Sequence, residues 1–206
     1  MKTIAIISQK GGAGKTTLAV HLAVAATESG KAVAMIDLDP QASATSWKDL
    51  RKSDTPAVAA TPVSRLAQVL EIAAQHGADI AIIDTAPHSE GAALAAARTA
   101  DLILIPCRPA ILDLKAIGLT VDLVTLAGKP AQIVFNAVPP RGSLADEAVA
   151  AVDSYKIPIA PVRIYQRAAY VHALTNGQTA QEYDPTSKAA EEIKRLYKWT
   201  CTQVRL

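Results

Sequence analysis

Short apolar runs recur along this chain, each closed by polar or turn residues. Residues 3–8, 32–37, 80–85, 102–107, 131–136 and 157–164 are the main runs, and 57–60 is a weaker one suited to a sheet edge. They are continuous rather than alternating, as expected of strands buried on both faces. Between them lie stretches with helical character, near 15–29, 44–52, 63–75, 89–99, 114–126 and 144–154. Two more close the chain, near 166–175 and 186–204.

Regular alternation of strand and helix predicts an α/β fold: a doubly wound, mostly parallel sheet flanked by helices. No repeat, low-complexity tract or long linker interrupts the pattern, so one domain over 1–206 is expected. Half of the residues are apolar and only 4% aromatic, which suits an aliphatic core. Cys107 and Cys201 lack metal-type spacing, and Cys107 falls inside an apolar run; a reducing cytoplasmic setting is the expectation. No signal peptide is expected before the first strand, and no apolar run is long and clean enough to span a bilayer.

The chemistry concentrates after the first run. Gln9-Lys10-Gly11-Gly12-Ala13-Gly14-Lys15-Thr16-Thr17 lies between a predicted strand and a predicted helix. That layout wraps the phosphates of a nucleotide. Glycines let the backbone approach the phosphate oxygens, and the helix N-terminus adds free N–H donors. Lys15 would reach the β- and γ-phosphates of ATP, and the Thr16 hydroxyl would ligate Mg²⁺. The ordinary loop has glycine five residues before Gly14, where this chain has Gln9. A second lysine, Lys10, opens the loop instead. It is poorly placed to turn onto phosphates held by its own loop and better placed to reach across an interface. A dinucleotide fingerprint fails, because its last small residue would fall on Thr17.

Two further runs end in aspartate, Asp37 and Asp84, at the strand ends where such sheets bind ligands. Asp84 reads as the acid that holds Mg²⁺, with Asp37 in a similar role on the neighbouring strand. Asp39 is placed to orient or deprotonate an attacking water. Asn136 closes a late strand, where it resembles the asparagine with which related P-loop proteins read adenine, and that resemblance would let Pro161 in the following segment pack on the base; a plain turn residue is the alternative for Asn136.

Lys-Gly-Gly-x-Gly-Lys-Thr-Thr is the deviant form of the phosphate loop. With Asp37-Leu38-Asp39-Pro40-Gln41 and the closing segments Asn176–Thr179 and Tyr183–Ala190, the chain resembles the ParA/MinD group of ATPases along nearly its whole length. The short ParA form often called ParF-like is the best likeness. Ser8 and Gln9 depart slightly from its pattern. The resemblance implies an ATPase that uses ATP/ADP and Mg²⁺ and dimerises over two nucleotides. Residues 10–17 would bind the nucleotide, Lys10 would contact the partner's ATP, and Asp39 would serve hydrolysis. It also implies sequence-blind DNA binding, a ParB-like or other cargo adaptor that stimulates slow hydrolysis, and a cytoplasmic protein that joins the nucleoid when ATP is bound.

Charge adds one point. Residues 163–206 carry seven Lys and Arg against four Asp and Glu, while residues 1–162 carry 14 against 15. In the last predicted helix, Ala189, Ile193, Leu196, Tyr197, Thr200 and Val204 share one face. Lys194, Lys198 and Arg205 flank it, with Lys188, Arg163 and Arg167 upstream. The resemblance makes these six basic residues a DNA surface; an ordinary solvated face is the plain alternative. A MinD-like membrane helix is disfavoured, because Trp199 falls on the polar side. A metabolic enzyme of the dethiobiotin synthetase type is the rival enzyme class.

Overall fold

A computed structural model describes residues 1–206. Its strands are β1 (Lys2–Ile6), β2 (Val33–Asp37), β3 (Ala57–Ala60), β4 (Ile80–Asp84), β5 (Leu102–Cys107) and β6 (Ala131–Phe135). Its α-helices are α1 (Lys15–Glu28), α2 (Ser43–Leu50), α3 (Leu66–Gln75), α4 (Glu90–Thr99), α5 (Ile111–Ala127), α6 (Leu144–Val152), α7 (Ala168–Thr175), α8 (Ala180–Tyr183) and α9 (Lys188–Val204).

The strands form one sheet in the order β3-β2-β4-β1-β5-β6, and every pair is parallel. Successive strand residues face opposite sides, so the sheet feeds two cores. Ile4, Ile6, Ile82 and Leu104 pack with α1 and α9. Ala5, Ile7, Ile83 and Ile105 pack with α3, α4, α5 and α6. Helices thus cover both faces, as the alternation predicted, and β3 is an edge strand.

The run at 157–164 does not form a strand. It runs beside β6 and meets it in one isolated bridge, Ile133 to Ile159, with a second, Val138 to Tyr165, just beyond both. Pro158 and Pro161 lack the N–H groups that a ladder needs. The sequence also gave no expectation of α8. Its signal was present: Thr179 and Glu182 form a capping box, in which the Glu182 carboxylate accepts the Thr179 N–H at 2.8 Å. No helix is long and apolar enough to cross a membrane. The face of α9 expected to be apolar is indeed buried, but chiefly against α1 and α8 rather than directly on the sheet.

Two struts brace α2, which follows the Asp37–Asp39 segment. Trp47 Nε1 donates to the Gln178 carbonyl at 3.1 Å. The Arg51 guanidinium forks onto Glu182 at 2.6 and 2.8 Å and also meets the Gly177 carbonyl. His21 completes this frame from α1. Its Nδ1 lies 2.7 Å from the Thr17 carbonyl, and Nε2 lies 3.0 Å from the Ala180 N–H. A carbonyl only accepts and an N–H only donates, so the ring is neutral with its proton on Nδ1.

Candidate functional site

The loop between β1 and α1 is open toward a ligand. Gly12 and Gly14 hold φ of 72° and 90°, in the left-handed region that glycine tolerates. The backbone N–H groups of residues 11–17 have no acceptor within the chain, whether backbone or side chain. Unpaired N–H groups clustered at a helix N-terminus form an anion nest.

Lys15 is buried beneath this nest. Its Nζ donates to the Lys10 carbonyl at 3.3 Å, which ties the two ends of the loop together. Burial lowers its pKa, and the charges of Asp84 and Asp39 oppose that shift. The Lys10 ammonium makes no ion pair within the chain and sits half-buried at the loop mouth.

Asp37, Asp84 and Ile6 are paired neighbours across β2, β4 and β1, so both acids stand at the end of the sheet that carries the loop. Their surroundings differ. Asp37 Oδ2 accepts the N–H groups of Ala44 at 3.0 Å and Thr45 at 3.2 Å, while Oδ1 accepts that of Asp39 at 3.0 Å. It caps α2, and with both oxygens occupied it is less available as a metal ligand than the sequence suggested. Asp84 is fully buried, and neither oxygen has a partner of ordinary hydrogen-bond geometry. Burial pushes it up to about 7; nearby Thr16 and Lys15 pull it down, and Asp37 and Asp39 raise it further. An orphaned carboxyl beside a hydroxyl is an oxygen-donor set suited to a hard cation such as Mg²⁺. Asp39 is half-buried, and one of its oxygens accepts the Gln41 N–H at 2.9 Å.

Asn136 does reach the site, but its amide is engaged. Nδ2 donates to the Ala13 carbonyl at 2.7 Å and lies so near Gly14 that a Cβ there would collide with it. It therefore shapes the phosphate loop, and the expected reading of adenine is not what its amide nitrogen does here. Pro161 is exposed and lines a separate hollow of about 280 Å³ with Arg163, Arg167, Lys188 and Arg195.

The six expected DNA contacts do not form one row. Lys188 lines the Pro161 hollow, whereas Lys194 and Lys198 line another groove beside Lys31 and Glu28. Arg205 is exposed at the C-terminal end of α9. Arg163 pairs with Asp146 at 2.7 Å, and Arg167 is bound through Nε at 2.8 Å and through Nη2 to the buried Glu192. Glu192 also accepts from Tyr170 and from the Tyr165 N–H. Arg167 is thus a structural strut, a correction to its place in the DNA set, since freeing it would strand a buried carboxylate.

Three participants had no sequence signal. Arg108, just after β5, brings its Nη2 to 3.6 Å from where a Gly12 Cβ would stand, so a cation overlies the nest. Thr120 Oγ1 accepts the Gln9 N–H at 3.0 Å and anchors the loop to α5. Arg195 joins Lys188 in the Pro161 hollow.

Comparison with known proteins agrees with this architecture. The family described as CobQ/CobB/MinD/ParA nucleotide binding domain matches residues 4–180. A Maintenance of carboxysome distribution protein A from Gloeobacter kilaueensis is 31% identical over 219 residues, covering 94% of each chain. A protein of the same name from Halothiobacillus neapolitanus is 28% identical over 204 residues, again covering 94% of each. The solved structure of a ParA family ATPase from Chlorobium tepidum superposes with a TM-score of 0.76 at 18% identity, covering 96% of this chain and 98% of that one.

Proposed function

The chain belongs to the CobQ/CobB/MinD/ParA nucleotide-binding family, and from that premise we propose that it is a ParA-type positioning ATPase built as one domain. The observation that carries the reading is the row of unpaired N–H groups at residues 11–17, with a buried ammonium below and an orphaned carboxyl opposite. Residues 10–17 bind the ATP phosphates, and Lys15 neutralises the β- and γ-phosphates. Thr16 and Asp84 hold Mg²⁺, which supplies further charge neutralisation on the phosphates. Asp39 orients the attacking water through its free oxygen. Arg108 adds positive charge over the nest.

Lys10 has no partner of its own, which supports a role on the nucleotide of a second copy. In that arrangement the γ-phosphate is part of the dimer interface, so hydrolysis loosens it. The exposed cations in and just after α9, Lys194 and Lys198 in one groove, Lys188 and Arg195 in another and Arg205 at the end, supply the DNA contacts, and dimerisation doubles them. The cycle is slow until an adaptor protein on the cargo stimulates it. The two relatives from Gloeobacter kilaueensis and Halothiobacillus neapolitanus are named for carboxysome distribution, which favours positioning of a large cargo over small-molecule chemistry. The protein is cytoplasmic and joins the nucleoid in its ATP state. A membrane-binding last helix is disfavoured by the burial of its apolar face.

The test is duplex binding to two unrelated sequences with ATP, ADP or no nucleotide, across a salt series. ATP-dependent, sequence-blind binding is expected, with log affinity falling by roughly 0.9 per phosphate contact against log salt. Lys194→Ala with Lys198→Ala should weaken both duplexes alike and flatten that slope. Equal binding in all nucleotide states, or none in any, removes the positioning reading.

A further inference from the structure

One helix exposes apolar side chains at a regular interval. On α5, Leu112 is 71% exposed, Leu119 66% and Leu126 69%. They stand seven residues apart, so they form a nearly straight ridge down the outer face of the helix. Beside the ridge runs a groove of about 460 Å³ between α4 and α5, lined by Leu94, Leu119, Leu126, Asp122 and Glu90. Lys115 and Asp122 are exposed on one flank of the ridge, and neither is in an ion pair. Scattered leucines need no explanation, but a heptad ridge beside an open groove does.

We propose that this face docks a second copy of the chain, with the two α5 helices antiparallel about a two-fold axis at Leu119. The symmetry of the charges selects that occupant. Lys115 lies four residues before Leu119 and Asp122 three after, about 6 Å and 4.5 Å from the axis at the helical rise. Antiparallel pairing brings each Lys115 level with the other copy's Asp122 on the same flank, and Leu112 level with the other copy's Leu126. Parallel pairing would set Lys115 against Lys115 and Asp122 against Asp122. Glu90 adds a second acid to the groove that receives Lys115. A residue contacting its own kind, with partners exchanged around it, is the mark of an isologous interface.

This contact differs from a dimer closed over nucleotides. The N-terminus of α5 lies at the end of the sheet that carries the phosphate loop, since Arg108 reaches Gly12 from there. Antiparallel α5 helices therefore point the two phosphate loops in opposite directions. A chain with two different two-fold contacts can extend as an open filament; that clause alone rests on the nucleotide dimer of the proposed function.

Leu119→Cys tests the axis directly. Under mild oxidation without nucleotide, Leu119→Cys should form a disulfide-linked dimer. Leu112→Cys or Leu126→Cys alone should not, and the two combined should. The same result is expected with Lys10→Ala in the background, which separates this contact from the nucleotide dimer. By sedimentation velocity, Lys115→Glu or Asp122→Lys should each weaken association by about tenfold, and the double reversal should restore it to within about twofold. A protein that stays monomeric without nucleotide up to about 100 µM overturns the proposal, as does equal cross-linking at all three positions. Failure of the double reversal to recover association overturns it too.

Discussion

Replacing Asp84 by Asn isolates the cost of the orphaned carboxyl. The group ionises near 3.8 in an unfolded chain, and burial lifts it to about 7 in the folded one. Between those values the folded state holds a proton that the unfolded state has lost. Stability therefore falls as pH rises through this window and is lowest above it. The whole gap is worth about 4 kcal/mol, and about 3 kcal/mol of it falls between pH 5 and pH 8. Asn cannot ionise and does not share the loss. Wild type should therefore lose about 3 kcal/mol relative to Asp84→Asn over that range, roughly 6–12 °C in melting temperature for a domain of this size. The measurement is thermal unfolding of both proteins without nucleotide or Mg²⁺ at several pH values, read as the difference between them. His21 and every other titrating group are common to both and cancel. Mg²⁺ with nucleotide should shrink the gap at pH 8, because a cation beside Asp84 favours the charged form. A gap that does not change with pH would refute the argument.

Gly14→Ala should weaken ATP binding at least about tenfold, since a left-handed alanine is strained and its Cβ drives Asn136 off Ala13. Unchanged affinity by titration calorimetry would show that the loop tolerates the shift. His21 is held neutral, with its pKa lowered from 6.5 to about 4 by burial, so its contribution is intact above pH 6.5 and lost as pH falls toward 4. Urea unfolding of wild type should show about 3 kcal/mol more loss across that window than His21→Ala, and parallel curves would exclude the role. Lys15→Ala should abolish ATP binding, whereas Lys10→Ala should bind ATP yet show no ATP-dependent gain in association and no hydrolysis. ATP-dependent dimers of Lys10→Ala by light scattering would remove the cross-subunit role.

Five strands were legible because each is a short, nearly continuous apolar run buried on both faces, whereas β3, largely exposed at the sheet edge, left only a weak signal. The run at 157–164 misled for a reason visible in it: two prolines outweigh its aliphatic residues, because a missing N–H cannot be replaced by hydrophobicity. The loop and the two strand-end acids were legible from spacing. What those acids touch was not. Asp37 differs from Asp84 only through the helix that arrives above it, and its partners Ala44 and Thr45 carry no distinguishing side chain in common. Asn136 meets Ala13 across 123 residues, and Arg167 meets Glu192 across 25, separations that no local pattern encodes. Arg108 follows a strand as any surface arginine does, and only the fold brings it over Gly12.

The contrast between Asp37 and Asp84 explains how one sheet edge serves both stability and chemistry. After β2 the chain turns within a few residues into α2, whose first N–H groups fall on Asp37 and satisfy it. After β4 it takes an equally short path through Thr85-Ala86-Pro87 to α4 at Glu90, but no backbone N–H of α4 reaches Asp84, and the hydroxyl beside it is that of Thr16 in the first turn of α1. Thr85 turns away as well, donating its hydroxyl to the Ile6 carbonyl at 2.9 Å. A core residue with two unpaired oxygens is expensive to keep when nothing is bound. The same residue becomes favourable once a cation and the phosphates in the loop supply the missing charge. The fold thus leaves one acid unsatisfied at the point that faces the nest, and nucleotide binding draws part of its free energy from relieving that state.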